Sequence, residues 1–181
     1  MNRRTAVAAA LSPLAMTPAL AADLPLPAEL QAALPNARLR GTGVLRFFGL
    51  RVYEARLWTL PDFNADDYAG CRFALELVYD RKLEGAAIAE RSVAEMRRVG
   101  SFDEAQAKRW LALMKQAFPD VAATDRLLGL TDGQGDVRFF HNGRPTAQTV
   151  DADYARLFFG IWLARQSSAP ALRDALLGTS R

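Results

Sequence analysis

The chain has 181 residues, half of them hydrophobic and about a quarter charged, a balance that suits one globular domain with a sizeable core and excludes a disordered or fibrous protein. Its 23 basic residues against 20 acidic ones include Arg3 and Arg4, so without residues 1–21 the net charge falls from +3 to about +1; with no lysine- or arginine-rich block, no nucleic-acid partner is expected. A single cysteine, Cys71, excludes an intramolecular disulfide, and a single histidine, His141, rules out a histidine-rich zinc site and leaves a Ser-His-Asp triad one candidate base.

At the N-terminus Asn2-Arg3-Arg4 is basic, Thr5–Leu20 is apolar but broken by Pro13 and Pro18, and Ala19-Leu20-Ala21 has the small-x-small pattern of a signal-peptidase site. A membrane span needs roughly 20 unbroken apolar residues. The expectation is therefore a signal peptide over 1–21 and a mature domain over 22–181, periplasmic or secreted, with no stable membrane anchor after cleavage. A proline-rich lead-in over Asp23–Asn36 carries a short helical turn at Ala28–Ala33.

Leu39–Phe48 and Leu50–Leu60 read as two strands meeting at Gly49, the second carrying Tyr53, Arg56 and Trp58 among aliphatic residues. Asp62–Gly70 reads as a loop. Cys71–Tyr79 is a strand in which Phe73, Leu75, Leu77 and Tyr79 recur at period two against Arg72 and Glu76, with Cys71 a small buried hydrophobe.

Glu84–Val99 switches to helical period, with Ala86, Ala89, Val93 and Met96 on one stripe and Arg91 and Glu95 one turn apart on the polar side. Ser101 and Glu104 match a capping box for a second helix, whose Ala107, Trp110, Leu111, Met114 and Phe118 share a face before Phe118-Pro119-Asp120 stops it. Asp125–Leu130 and Val137–His141 are strands joined by Asp132-Gly133-Gln134-Gly135, a hairpin turn that lacks the ligand spacing of a calcium loop. His141 precedes the turn signal Asn142-Gly143 and reads as an exposed turn residue; a short extended run follows. Asp151 caps a third helix to about Leu163, apolar nearly all round, and Ser168-Ala169-Pro170 opens a last helix that Gly178 closes. Strands, two helices, strands and two helices make an α+β domain, an antiparallel sheet with helices on one side.

Several of these pieces carry a resemblance: Gly41-Thr42-Gly43, Arg51-Val52-Tyr53 with Ala55 and Leu57, Phe118-Pro119-Asp120-Val121, Asp125-Arg126-Leu127, Asn142-Gly143, Phe158–Leu163 and Leu172-Arg173 with Leu176-Leu177-Gly178. In this order and spacing the chain resembles the bacterial, exported branch of the chalcone isomerase-like family from about Leu39 to Gly178. The resemblance implies an open-faced β-sandwich, a large antiparallel sheet under a helical layer, with a ligand cleft between them. Plant members cyclise chalcones; related non-catalytic members bind fatty acids in the same cleft, and both place an arginine and a tyrosine near the polar end of the ligand.

Carried over by position, the family's arginine after Gly-x-Gly-Val falls on Leu45, with Arg46 one residue later. A one-residue step turns a strand side chain to the other face, so Arg46 can serve only if a bulge or register shift compensates. The family's threonine falls on Tyr53, which keeps a hydroxyl. The tyrosine and asparagine of the first cleft helix fall near Ile88 and Glu95, and the late hydroxyl near Gly160, so these parts are replaced. A lost donor to a developing oxyanion typically costs roughly 3–4 kcal/mol, whereas binding an amphiphile asks for an apolar cleft and one or two polar anchors.

The candidate ligand-binding residues are Arg46, Tyr53, Trp58, Arg91 and Glu95; Trp110 and Trp162 read as core. No catalytic residue, metal or cofactor is assigned. The first expectation is an exported, monomeric binder of a small hydrophobic or fatty-acid-like ligand. The alternatives are an isomerase or intramolecular lyase on another substrate, using Tyr53 and an arginine as donors, and a periplasmic interaction protein whose cleft is filled by side chains.

Overall fold

The computed structural model describes residues 24–179, and the expected leader over 1–21 lies outside them. Six strands, β1 (Arg38–Phe47), β2 (Leu50–Thr59), β3 (Phe73–Tyr79), β4 (Arg126–Thr131), β5 (Asp136–His141) and β6 (Arg144–Val150), form one antiparallel sheet in chain order. Helices α1 (Gly85–Val99) and α2 (Glu104–Ala117) leave the sheet after β3, and α3 (Ala152–Leu163) and α4 (Pro170–Leu177) follow β6. This is the α+β sheet-and-helix arrangement that the alternation of elements implies, and the open-faced sandwich that the resemblance implies.

Turn chemistry sets the register at both ends of the sheet. Phe48-Gly49 and Asn142-Gly143 each take positive φ at both residues, the two-residue geometry that matches strand twist. Between β4 and β5 the carboxylate of Asp132 accepts from the backbone N–H of Gln134 (2.7 Å) and Asp136 (3.0 Å). Asp151 caps α3 by accepting from the Tyr154 N–H, and its second oxygen accepts from the indole of Trp110 at 2.9 Å. Pro170 starts α4 and Gly178, at φ 70°, ends it.

The main core lies between the sheet and the helices, around Phe73, Phe139, Tyr154, Phe158 and Phe159. A second core lies on the reverse face, where Leu30 and Leu34 of the lead-in cover Trp58, Ala74, Leu128 and Leu130. Its helical turn is shorter than expected, Ala28–Leu30.

This reverse layer corrects two expectations. Glu76 is not on a solvent face: it is 1 % exposed, accepting from the Trp58 indole at 3.2 Å and paired with Arg126, which also reaches Glu29 at 3.0 Å. Trp58 belongs to this layer and is not a cleft residue.

Other differences are local. The α2 capping box is Asp103 with Gln106, each side chain accepting from the other's backbone N–H; Glu104 instead pairs with Arg97 at 2.6 Å. In α1 the buried face is Gly85, Ala89, Ser92, Glu95 and Met96, while Ala86 is exposed; the helix is turned so that polar groups wall the cleft described below. His141 ends β5 half-buried instead of standing in the turn. Cys71 is half-buried, its sulfur accepting from the Asn64 N–H and lying 3.3 Å from the Asp67 carbonyl. The loop before it contains a 3-10 turn at Ala65–Gly70.

Candidate functional site: a cleft between sheet and helices

An open cavity of about 780 Å³ separates β1–β3 from α1, α3 and the start of α4. Small-ligand pockets run roughly 300–1,000 Å³, so the gap is of ligand size and is not filled by side chains. Its walls are aliphatic and aromatic, with Leu75 and Leu77 from the sheet facing Phe158, Phe159 and Ile161 from α3. Strand alternation supplies the first set, and a helix apolar nearly all round supplies the second.

The polar groups are few and come from separate elements. Tyr53 of β2 sits opposite Tyr79 of β3 in the ladder, with their rings edge to face at 5.7 Å. The Tyr53 hydroxyl accepts from the Trp162 indole at 2.9 Å, which leaves its own proton free to donate. Burial pushes the Tyr53 hydroxyl well above its ordinary value; the Trp162 hydrogen bond opposes this, the nearby Glu95 carboxylate adds to it and Arg91 opposes it. Burial raises Tyr79 likewise, with Tyr53 adding to it. Both phenols are therefore neutral hydrogen-bond donors at physiological pH.

Glu95 is 7 % exposed. One of its oxygens meets Arg91 at 2.6 Å and the other lies 3.6 Å from Arg98. The Arg91 side chain is 68 % exposed, so this pair crosses the cavity wall, with the carboxylate inside and the guanidinium at the rim. Arg46 and Arg81 also line the cavity. Arg46 donates to the Gly49 carbonyl at 3.1 Å.

The bulge that Arg46 required is present. Leu45 pairs with Tyr53 and Arg46 with Arg51, leaving Val52 as the extra residue of β2. Beside this shift Arg46 and Leu45 both line the cavity. Of the five candidate residues, Arg46, Tyr53, Arg91 and Glu95 converge on the cleft, and Trp58 lies on the far side of the sheet. Trp162 is both core and cavity wall. Tyr79 and Arg81 were not singled out from the sequence. The signal for Tyr79 was its period-two position at the end of β3; for Arg81, which follows that strand, there was none.

A model of the family described as chalcone isomerase-like matches residues 20–178. The chain belongs to this family. A crystal structure of a fatty-acid binding protein of Arabidopsis thaliana superposes with a TM-score of 0.61, covering 78 % of this chain and 87 % of that one at 12 % identity, a likeness of fold. An uncharacterised protein of Haemophilus influenzae is 29 % identical over 109 residues, 59 % of this chain, and the match spans about half (52 %) of that protein's length.

Against the chalcone isomerase-like pattern, Ile88 and Glu95 do line the cavity from α1, and Tyr53 from β2. Gly160 does not. A Cβ there would lie 2.6 Å from Val99 and 2.7 Å from the Tyr68 hydroxyl, so this glycine lets α3 approach α1. Chemically the cleft offers neutral phenol donors and guanidinium groups. The one lining carboxylate among the described residues, Glu95, is held by two arginines, and His141 lies outside the cleft, beside Asp125 and Asn142.

Proposed function

We propose that this protein binds a single-chain amphiphile with an anionic head, a fatty acid or a molecule of that class, in the cleft between sheet and helices. One observation carries the reading: an open apolar cavity of about 780 Å³ whose charged lining is three guanidinium groups, Arg46, Arg81 and Arg91, against one carboxylate, Glu95. The fatty-acid binding protein of the same fold supports it. The tail packs on the aliphatic and aromatic walls. The head takes charge-assisted hydrogen bonds from an arginine and the free protons of Tyr53 and Tyr79, which are stronger than neutral ones.

Titration with a fluorescent long-chain fatty acid tests this. Tyr53→Phe removes one donor, a change of roughly 1–1.5 kcal/mol or about tenfold in affinity, and Arg46→Ala is expected to weaken binding by at least as much. Trp58→Phe, on the opposite face, leaves affinity unchanged. If the fatty acid fails to bind, or if Tyr53→Phe and Arg46→Ala both bind as the wild type does, the site is misassigned.

Export completes the proposal. The basic, apolar and small-x-small succession at the N-terminus supports cleavage after Ala21 or Ala22, and the intact mass of the chain recovered from the periplasm checks it. An isomerase reading draws on the same Tyr53 donor, but Glu95 is engaged by Arg91 and Arg98, so among the described residues no free carboxylate or imidazole base faces the cavity. Mixing the protein with a chalcone and following its absorbance tests that reading directly.

A further inference from the structure

Two hairpins of the sheet turn through two residues in the same left-handed geometry. At one, the residues are Asn142-Gly143, with φ of 50° and 79°, a pair this turn favours. At the other they are Phe48-Gly49, with φ of 47° and 79°. An aromatic side chain is strained there where asparagine is not. The Phe48 ring meets that of Phe47 edge-on at 4.5 Å, but packing against the body of the protein does not offset the strain: Phe48 is 90 % exposed and its neighbours Phe47 and Leu50 are 59 % and 58 % exposed. Three of the four large apolar side chains left exposed among the described residues thus sit on one tip.

The tip is framed by cations and adjoins the cavity. Arg46 and Arg51 bracket it, the latter held by Asp80 at 3.1 Å. The Asp80 N–H donates to Val52 at 3.0 Å, which fixes the exposed Arg81 and Lys82 beside the base of the hairpin. Phe47, Arg46 and Arg81 line the cavity. We propose that the β1–β2 tip docks on an anionic lipid bilayer, with Phe48 and its apolar neighbours entering the interface and Arg46, Arg81 and Lys82 meeting the headgroups, so that the cleft faces the membrane. Shallow insertion of a few apolar side chains together with a cationic patch is enough for reversible membrane association. A stable protein interface needs roughly 800 Å² per partner, more than a two-residue turn presents. The proposal rests on the ligand reading for its purpose, as a place to exchange an amphiphile, but not for its test.

The full chain carrying Phe48→Trp is mixed with phosphatidylcholine–phosphatidylglycerol vesicles bearing brominated acyl chains, and with brominated phosphatidylcholine vesicles. Residues 1–21 contain no tryptophan and the native tryptophans are buried, so quenching beyond that of the wild type reports the tip. The expected result is quenching by the mixed vesicles that salt reverses, and little by phosphatidylcholine alone. Arg81→Gln and Lys82→Gln each weaken association about fivefold. Phe48→Ser with Leu50→Ser abolishes the tip's share of binding while fatty-acid affinity in solution stays unchanged. No quenching, equal quenching by both vesicle types, or a dimer that the double-serine variant dissolves would each overturn the docking proposal. Quenching without fatty-acid binding would sink the ligand reading alone, and fatty-acid binding without quenching would sink this one alone.

Discussion

Two buried tyrosines show how much a single hydroxyl's surroundings decide. Tyr53 receives the Trp162 indole and keeps its proton for the cavity. Tyr154, fully buried among Trp110, Phe139 and Phe158, has a hydroxyl with no partner among the described residues. A buried polar group without a hydrogen bond destabilises the fold by about 1–3 kcal/mol. Tyr154→Phe is therefore expected to be neutral or to stabilise by about 1 kcal/mol, read as a rise in the denaturant midpoint at unchanged slope. Tyr53→Phe moves stability the other way, because the Trp162 N–H loses its acceptor. The sequence singles out Tyr53 as a cleft candidate and Tyr154 only as part of a helix apolar nearly all round. Which hydroxyl is useful depends on the indole of α3 reaching β2 across 109 positions of sequence, and no local pattern encodes that reach.

Among the elements, α4 and β1 are joined by the glycines of Gly41-Thr42-Gly43. A Cβ on Gly41 would lie 2.2 Å from the Ala175 carbonyl oxygen, and one on Gly43 would lie 2.6 Å from the Leu172 side chain. The motif is the seat of a helix that closes one end of the cleft. Since a backbone carbonyl cannot move aside cheaply, Gly41→Ala is expected to cost about 2–3 kcal/mol of stability and to loosen the cleft, which denaturation and fatty-acid titration together measure. Helix stops and hairpin turns were readable because they depend on one or two residues with restricted backbones: Phe118-Pro119, Asn142-Gly143, Pro170 and Gly178 all act where expected. The capping box was misplaced by two residues because Ser101 and Asp103 both begin plausible boxes, and the competing pair of Glu104 with Arg97 is non-local. The bulge at Leu45 and Arg46 has no turn residue to announce it. It lies where Arg46 reaches the cavity and adds to the charge of the cleft.

The whole molecule responds to alkaline pH through its tyrosines. All four, Tyr53, Tyr68, Tyr79 and Tyr154, are raised above the ordinary value of 10.0, each chiefly by burial. In the folded state they hold their protons after the unfolded chain has released them, so the stabilisation they contribute is complete below pH 10.0 and is lost as pH rises above it. Tyrosinate absorbance of the native protein should lag that of the denatured protein, and the denaturant midpoint should fall once pH passes 10.0. Coincident titration curves for native and denatured protein would contradict the burial of these four side chains.

The order of elements, the antiparallel sheet, the places of the turns and the apolar content of α3 follow from the amino-acid sequence alone, because each depends on period or backbone restriction within a few residues. Three features required the tertiary structure: the lead-in that buries Trp58 and Glu76 on the reverse face, the rotation of α1 that puts Glu95 inside, and the cavity that stays open between well-packed layers. Each is a difference between surfaces contributed by segments far apart in the chain. Whether a charged side chain finds its partner, or a gap its filling, is settled only when those surfaces meet.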